Sequence, residues 1–293
     1  MSFLIIDGNS ILNRTFYAIK PLSNNQSNKT NGIFGFLNVL RKFIVQIGPK
    51  YIAVAFDVSR KTFRTNIYSE YKGTRPSTPP DLIWQLSETQ DLLALMGYSV
   101  IKCPGFEADD ILGTISKNNS PKVKCKLLTG DRDAYQLIEK NVDVIFPTVK
   151  SKSPFSEIVT LKVIIDKYGV QPEALIDVKA LAGDPSDNIP GCKGIGEKTA
   201  LTLISQFGNI ETIYENINQI ASKTLQQKLK DSKAEVFLSK TLATINQDVP
   251  IDWSLEAHIP KKTDVRQLLE KLTALEMKTA IEKINLLCPH LQK

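Results

Sequence analysis

The sequence predicts an α/β fold, a parallel-centred sheet flanked by helices, followed by a largely helical C-terminal part. Three observations carry that prediction. Short apolar runs recur through the first half of the chain. Helical patterns, with apolar residues every three or four positions, lie between them. Beyond about Leu161 the character changes to helices and loops. Strands that alternate with helices favour parallel pairing, because each crossover returns the chain to the same end of the sheet.

The elements follow in order. Phe3-Leu4-Ile5-Ile6 is a short buried strand stopped by Asp7-Gly8-Asn9-Ser10. A polar loop, Ser23 to Thr30, precedes a helical pattern from Ile33 to Ile47. Tyr51 to Phe56 is a second strand, ending in Asp57, and Leu82 to Met96 is the next helical pattern. Lys124 to Thr129 is a third strand, followed by Gly130-Asp131. The polar stretch Lys150 to Pro154 marks the join to the helical part. That part holds helices at Leu161–Tyr168 (closed by Gly169), Pro172–Leu181, Thr199–Phe207, Lys223–Thr241 and Val265–Ile284. Ligands of open parallel sheets bind beyond the carboxyl ends of the strands. Three strands that each deliver an aspartate there form a functional pattern.

Composition narrows the chemistry. With 42% hydrophobic and 23% charged residues, the 293-residue chain has ample core for a globular protein. Its two histidines, His258 and His290, lie close to the C-terminus, which argues against Ser-His-Asp and multi-histidine zinc chemistry. Four widely spaced cysteines form no CxxC pair, which speaks against a disulfide scaffold and for a reducing cytoplasm. The apolar start lacks a basic leader, and no run approaches the roughly 18 residues needed to span a bilayer. A soluble, cytoplasmic protein is expected.

The sharpest feature is a set of clustered acids: Asp7, Asp57, Glu107 with Asp109 and Asp110, Asp131 with Asp133, and Asp184 with Asp187. Asp131 and Asp133 would point to one side of an extended segment. Glu107 and Asp110 would share a helix face, and Asp184 and Asp187 would converge across one turn. Taken singly, such acids are usually caps or turn formers. As a set at successive strand ends they need compensation, because mutual repulsion raises their pKa values. Oxygen-only ligands favour Mg²⁺ or Mn²⁺ over zinc, and two such ions form a clamp for in-line phosphoryl displacement.

Arg60, Lys61, Arg64, Lys72 and Arg75 are interleaved with Phe63, Tyr68 and Tyr71, a mixture suited to phosphate contact and base stacking. Gly191 to Ala200 is a near miss to a nucleotide-binding P-loop, but Glu197 intrudes before Lys198-Thr199 and no strand precedes it. A glycine-rich hairpin between helices, with Lys193 and Lys198 beside it, instead suits a nucleic-acid backbone.

Together these motifs resemble the 5′ nuclease, or flap endonuclease-like, family, and specifically the 5′–3′ exonuclease domain of bacterial DNA polymerase I. The matching segments, in family order, are Asp7-Gly-Asn-Ser10, Phe56-Asp57, Tyr71-Lys-Gly-Thr-Arg-Pro76, Pro104 to Asp110, Thr129 to Asp133, Gly183 to Pro190, and Gly191 to Ala200. The resemblance covers residues 1 to about 210. Cys192 stands where the family usually carries Val or a similar aliphatic residue.

The resemblance implies a PIN-like nuclease core with an arch over residues 1–165. Residues 166–293 would form a helical DNA-binding region containing a helix–three-turn–helix. By family analogy Asp7, Asp57, Glu107, Asp109 and Asp110 hold or support a first metal ion. Asp131, Asp133, Asp184 and Asp187 hold a second. Lys72 and Arg75 stabilise charge on the scissile phosphate, so the catalytic set is Lys72, Arg75, Asp7, Asp57 and Asp131. Arg64, Tyr71, Lys72, Arg75, Lys193, Gly194, Gly196, Lys198 and Thr199 contact DNA, with K⁺ bound at the hairpin. The implied activity is structure-specific cleavage of DNA near a 5′ end or 5′ flap, and of RNA–DNA primer junctions, during replication and repair. The protein would act as a monomer beside a DNA polymerase, associated with the bacterial nucleoid and away from membranes. Without the proofreading and polymerase domains, the chain reads as a stand-alone nuclease or an excised domain. A PIN-type ribonuclease and a non-catalytic DNA-binding protein are the competing readings. The first lacks the hairpin and the Asp184–Asp187 pair, and the second would have lost an acidic cluster.

Overall fold

The computed structural model describes residues 1–147 and 157–292, so the polar stretch Lys150 to Pro154 lies outside the described residues. Six strands, β1 (Ser2–Asp7), β2 (Tyr51–Ala55), β3 (Ser99–Ile101), β4 (Lys124–Leu128), β5 (Val142–Phe146) and β6 (Glu157–Val159), form one sheet. Their order is β3-β2-β1-β4-β5-β6, parallel throughout except for the antiparallel edge strand β6. The three strands predicted from sequence are the three at the centre. The outer three carry weaker signals. β3 and β6 have only three residues each, and Asp143 interrupts the apolar run of β5. That buried carboxylate is held by Lys126 and by Lys124 at 3.2 Å.

Around the sheet lie α1 (Gly8–Ala18), α2 (Asn31–Ile47), α3 (Phe63–Ile67), α4 (Pro80–Leu95) and α5 (Ala108–Asn119). Alternation along β1 sorts the core into two layers. Leu4 and Ile6 face α1, α2 and α4, whereas Phe3 and Ile5 face α5. In α2, Ile33, Phe36, Leu37, Leu40, Phe43 and Ile44 make one buried stripe, and Gly48 at φ 57° ends the helix. Burying each such side chain contributes about 1.5–3 kcal/mol. From β1 the chain first builds outward on one side, then crosses to build β4 and β5 on the other. The β1–β4 boundary is therefore the switch point, where α/β sheets open a crevice.

The helical part comprises α6 (Leu161–Tyr168), α7 (Ala174–Ala182), α8 (Glu197–Phe207), α9 (Ile210–Glu215), α10 (Lys223–Asp231) and α11 (Lys233–Ala243). It has its own core, including Leu181, Ile195, Leu203, Ile213, Leu229 and Val236. The single helix expected over Lys223–Thr241 is two, broken at Ser232, where neither Asp231 nor Ser232 favours helix strongly. The one expected over Val265–Ile284 is α12 (Val265–Ala274), α13 (Lys278–Glu282) and α14 (Ile284–Leu287), with Glu276 at φ 57° between the first two.

These last helices return to the sheet. Leu268, Leu272, Leu275 and Met277 share a core with Leu4 and Ile52, and the Lys261 N–H donates to Gly97 O at 2.8 Å. The expected helical region, residues 166–293, thus includes a segment that pads the sheet. Among the described residues, no helix is long and apolar enough to cross a membrane.

Candidate active site

The carboxyl edge at the switch point is built from loops that brace one another. Asp7 ends β1 and caps α1, accepting from the Ser10 N–H at 2.9 Å. Across the boundary, the Thr129 hydroxyl donates to Asp7 Oδ2 at 2.9 Å and accepts from the Asp131 N–H at 3.0 Å. The Gly130 N–H donates to Ser10 Oγ. Asp57, just past β2, accepts from the Ala108 N–H at 2.8 Å, while Asn9 Oδ1 accepts from the Asp57 N–H. Asp131 is followed by a short 3₁₀ helix, Arg132–Leu137, rather than the extended segment expected, and its side chain caps that turn by accepting from the Asp133 N–H.

Glu107 and Asp110 form a capping box at the start of α5. Asp110 is fully buried and paired through both oxygens with Arg64, at 2.7 and 2.8 Å, and also accepts from the Asn246 N–H. Its oxygens are spent, so Asp110 is corrected from metal ligand to supporting residue. Arg64 is corrected too. It is 2% exposed, with its remaining donors on Leu242 O and Thr244 O, and does not face a nucleic acid. Tyr71 is likewise buried, packed with Ile189 and Leu242 and donating to Glu107 Oε2, so its ring is closed to base stacking. Lys72 reaches Glu107 Oε2 at 2.9 Å and sits 4.0 Å from Asp187 Oδ2; Arg75 pairs with Asp187 Oδ1.

The second cluster is tighter. Asp133, Asp184 and Asp187 bring carboxylate oxygens within 4.8 Å of one another, the one such trio among the described residues. Asp184 and Asp187 share a small closed loop, in which Asp184 and Ile189 exchange two backbone hydrogen bonds of 2.9 Å. Lys179 of α7 stands between Asp133 and Asp184, 2.5 Å from one and 2.7 Å from the other. Sequence reasoning assigned nothing to Lys179. Its signal was a lone cation within the otherwise apolar Val178-Lys-Ala-Leu-Ala182 stretch.

The electrostatics fit a cation-binding edge. Burial, with the charges of Asp57 and Asp131, pushes Asp7 up to about 7 despite its bonds to Ser10 and Thr129. Burial and the charges of Asp7, Asp131 and Asp133 hold Asp109 well above the usual carboxylate range. Asp57 is raised by the protein crowding its inner side, although its outer edge is exposed. Burial and Asp131 raise Asp133 to about 6, Lys179 notwithstanding. Asp184 goes the other way: bonds from Lys179 and Ser186 outweigh its partial burial and lower it to about 2. Asp109 Oδ1 is buried without a hydrogen-bond partner, an arrangement that costs free energy unless a cation arrives. Hard divalent ions suit these oxygen donors.

The hairpin lies on the helical side. Lys193, Gly194, Gly196, Glu197, Lys198 and Thr199 are exposed, and Gly196 caps α8 without a side-chain acceptor, leaving its first N–H groups to solvent. Cys192 packs inward, into the core of the helical part. Gly191, at φ 63°, passes so near Gly183 that a Cβ on it would lie 2.3 Å from Gly183 N.

An acid-lined edge on a parallel sheet, cations beside it and a helical half with an open glycine hairpin together suit hard metal ions and phosphate groups. The chain belongs to the 5′–3′ exonuclease family. Residues 2–169 match the 5′-3′ exonuclease N-terminal resolvase-like domain, and residues 170–282 match its C-terminal SAM fold. It is 39% identical over 287 residues to DNA polymerase I of Caldicellulosiruptor bescii, covering 98% of this chain and 34% of that protein. The chain thus spans about a third of the polymerase relatives it matches. The 5′-3′ exonuclease of Aquifex aeolicus is 36% identical, with 96% of this chain and 94% of that one covered. In fold the chain is similar to the bacteriophage T5 D15 flap endonuclease, solved as a pseudo-enzyme-product complex with DNA and metal ions. The TM-score is 0.69 at 20% identity, over 94% of this chain and all of that one.

Proposed function

We propose that this chain is a structure-specific nuclease that cuts DNA near a free 5′ end or 5′ flap, with Mg²⁺ or Mn²⁺, in primer and flap removal during replication and repair beside a DNA polymerase. The observation that carries the reading is the meeting, at one sheet edge, of crowded, mutually repelling carboxylates with Lys72 and Arg75. Asp7, Asp57 and Asp109 would hold one ion, and Asp133, Asp184 and Asp187 the other. Asp131, expected with the second ion, acts on Asp7 and Asp109 as well as on Asp133 and would serve between the two, with Glu107 and Asp110 fixing the start of α5. Bound there, two divalent ions supply charge neutralisation and water activation for an in-line displacement.

The chain's own residues do the rest. Lys72 and Arg75 exchange part of their contact with Glu107 and Asp187 for the scissile phosphate and offset charge that grows on it. The open N–H groups at α8, with Lys193 and Lys198, hold duplex phosphates without reading sequence. In this reading α7, the hairpin and α8 form the helix–three-turn–helix, with K⁺ at the hairpin, and the DNA-binding region runs from about residue 170 to 243. The core nuclease region is 1–165, completed by the returning C-terminal helices.

The test is cleavage of 5′-flap DNA, hairpin RNA and single-stranded DNA, each with Mg²⁺ or with EDTA. Mg²⁺-dependent flap cutting is expected. Its absence sinks the reading, and preferential cutting of the RNA hairpin favours a ribonuclease.

A further inference from the structure

The Tyr68–Arg75 segment and the Asp184–Ile189 loop come from opposite halves of the chain, yet they are joined by a seam of hydrogen bonds accepted by main-chain carbonyls. The Lys72 N–H donates to Asp187 O at 2.8 Å, and Arg75 Nε donates to Ser186 O at 3.3 Å. Asn188 Nδ2 donates to Glu70 O at 2.8 Å. That same carbonyl accepts the Gly73 N–H at 2.9 Å, the bond that closes the Glu70–Gly73 turn. Lys72 is the third residue of this turn. Four non-glycine residues among those described have positive φ, and two of them, Lys72 and Asn188, both at 55°, face each other across the seam. Strained backbone of this kind persists where neighbours over-determine it. Asparagine tolerates the left-handed region; lysine needs help to stay there.

We infer that Asn188 is a positioning residue: its side-chain amide clamps the Glu70–Gly73 turn, and so fixes the Lys72 ammonium relative to the loop that carries Asp184 and Asp187. The Asn188 side chain donates to Glu70 O, a main-chain carbonyl, so its effect on the reaction would pass through the turn. Its amide locks the one carbonyl on which the turn geometry depends, and its own backbone conformation closes the acidic loop. The phosphate-facing cations and the second acidic cluster are thereby set as one unit. The inference rests on the reading of Lys72 as a phosphate-stabilising cation.

The test uses the full chain, with single-turnover cleavage of 5′-flap DNA in Mg²⁺ and DNA binding measured in Ca²⁺. Asn188→Gly keeps the left-handed backbone and removes only the clamp. Cleavage should slow about tenfold while the DNA dissociation constant stays within about twofold, the signature of lost orientation rather than lost binding. In a Lys72→Ala background the same substitution should change the rate by less than about twofold, because Asn188 acts through Lys72. Asn188→Asp, which replaces the donor by an acceptor facing Glu70 O, should slow cleavage at least as much as glycine. Wild-type cleavage by Asn188→Gly overturns the inference. So does a full tenfold loss that persists without Lys72. A Lys72→Ala variant that cuts at wild-type rate overturns the underlying reading of Lys72, and the inference with it.

Discussion

The two acidic clusters at the sheet edge handle the same problem in opposite ways. Around Asp7 and Asp109, carboxylates are buried against one another; Asp7 has a neutral N–H and a hydroxyl for partners, and Asp109 Oδ1 has none. Their pKa values rise in consequence. Around Asp184, Lys179 and Arg75 already sit among the acids, and Asp184 is held at about 2, although burial and Asp131 still raise its neighbour Asp133 to about 6. One cluster stores repulsion that an outside cation relieves. The other is closed by the protein's own cations, which must yield. Proximity of carboxylates alone therefore does not say how a site responds to metal; the depth of burial and the internal cations act together.

The largest contrast should come from neutralising one acid in each. Asp7→Asn should cut flap cleavage by about 10²–10³-fold. It should also raise the stability of EDTA-treated protein at pH 8 by roughly 1–3 kcal/mol, because it removes a buried, repelled charge. Asp184→Asn should lower stability by about 1–3 kcal/mol, since Lys179 loses a charged partner. Denaturant unfolding in EDTA checks both signs, and equal signs would break the comparison.

Next in size is the pH dependence. Asp7 and Asp133 have folded pKa values of about 7 and 6, above the unfolded value of 3.8, so the native state binds more protons across that window. Stability of metal-free protein should therefore fall as pH rises from about 4 to 7, by roughly 1–4 kcal/mol from this edge. Mg²⁺ should raise Tm more at pH 8 than at pH 5. Thermal melts with and without EDTA decide it, and a flat metal-free profile counts against the raised pKa values.

Lys179→Met should sharpen the contrast. Metal-free stability should fall, while calorimetric titration should show divalent-ion binding tightened about tenfold, because an internal competitor is gone. The smallest effect is expected far from both clusters. Lys198→Ala should weaken duplex binding about equally for all sequences and lower the slope of log affinity against log salt by about 1.

Much of this edge was legible because chemistry and local pattern coincide there. Asp7, Asp57 and Asp131 each follow an apolar run short enough to be a central strand, so their placement needed only the parallel-sheet rule. Leu161–Tyr168 was readable from Gly169, which ends it at φ 71°. What stayed hidden was direction. Arg64 and Tyr71 belong to a basic, aromatic run, and nothing in that run says which members turn inward to Asp110 and Glu107. Lys179 was hidden for the same reason, since its partners lie 46 and five residues away in the chain. The return of α12 and α14 to the sheet depends on long-range packing that periodicity does not encode.

The near-touching backbones of Gly183 and Gly191 have a mechanical consequence. The hairpin that would seat a duplex and the loop that carries Asp184 and Asp187 are back to back, with no side chain between them to act as a cushion. The Cys192 N–H, which donates to Leu181 O at 2.8 Å, ties the two segments together beside this contact. A duplex gripped on one side would have its strand end gauged at a set distance on the other, as by a caliper with a fixed jaw. Cutting position would then be measured from where pairing begins, not from any base.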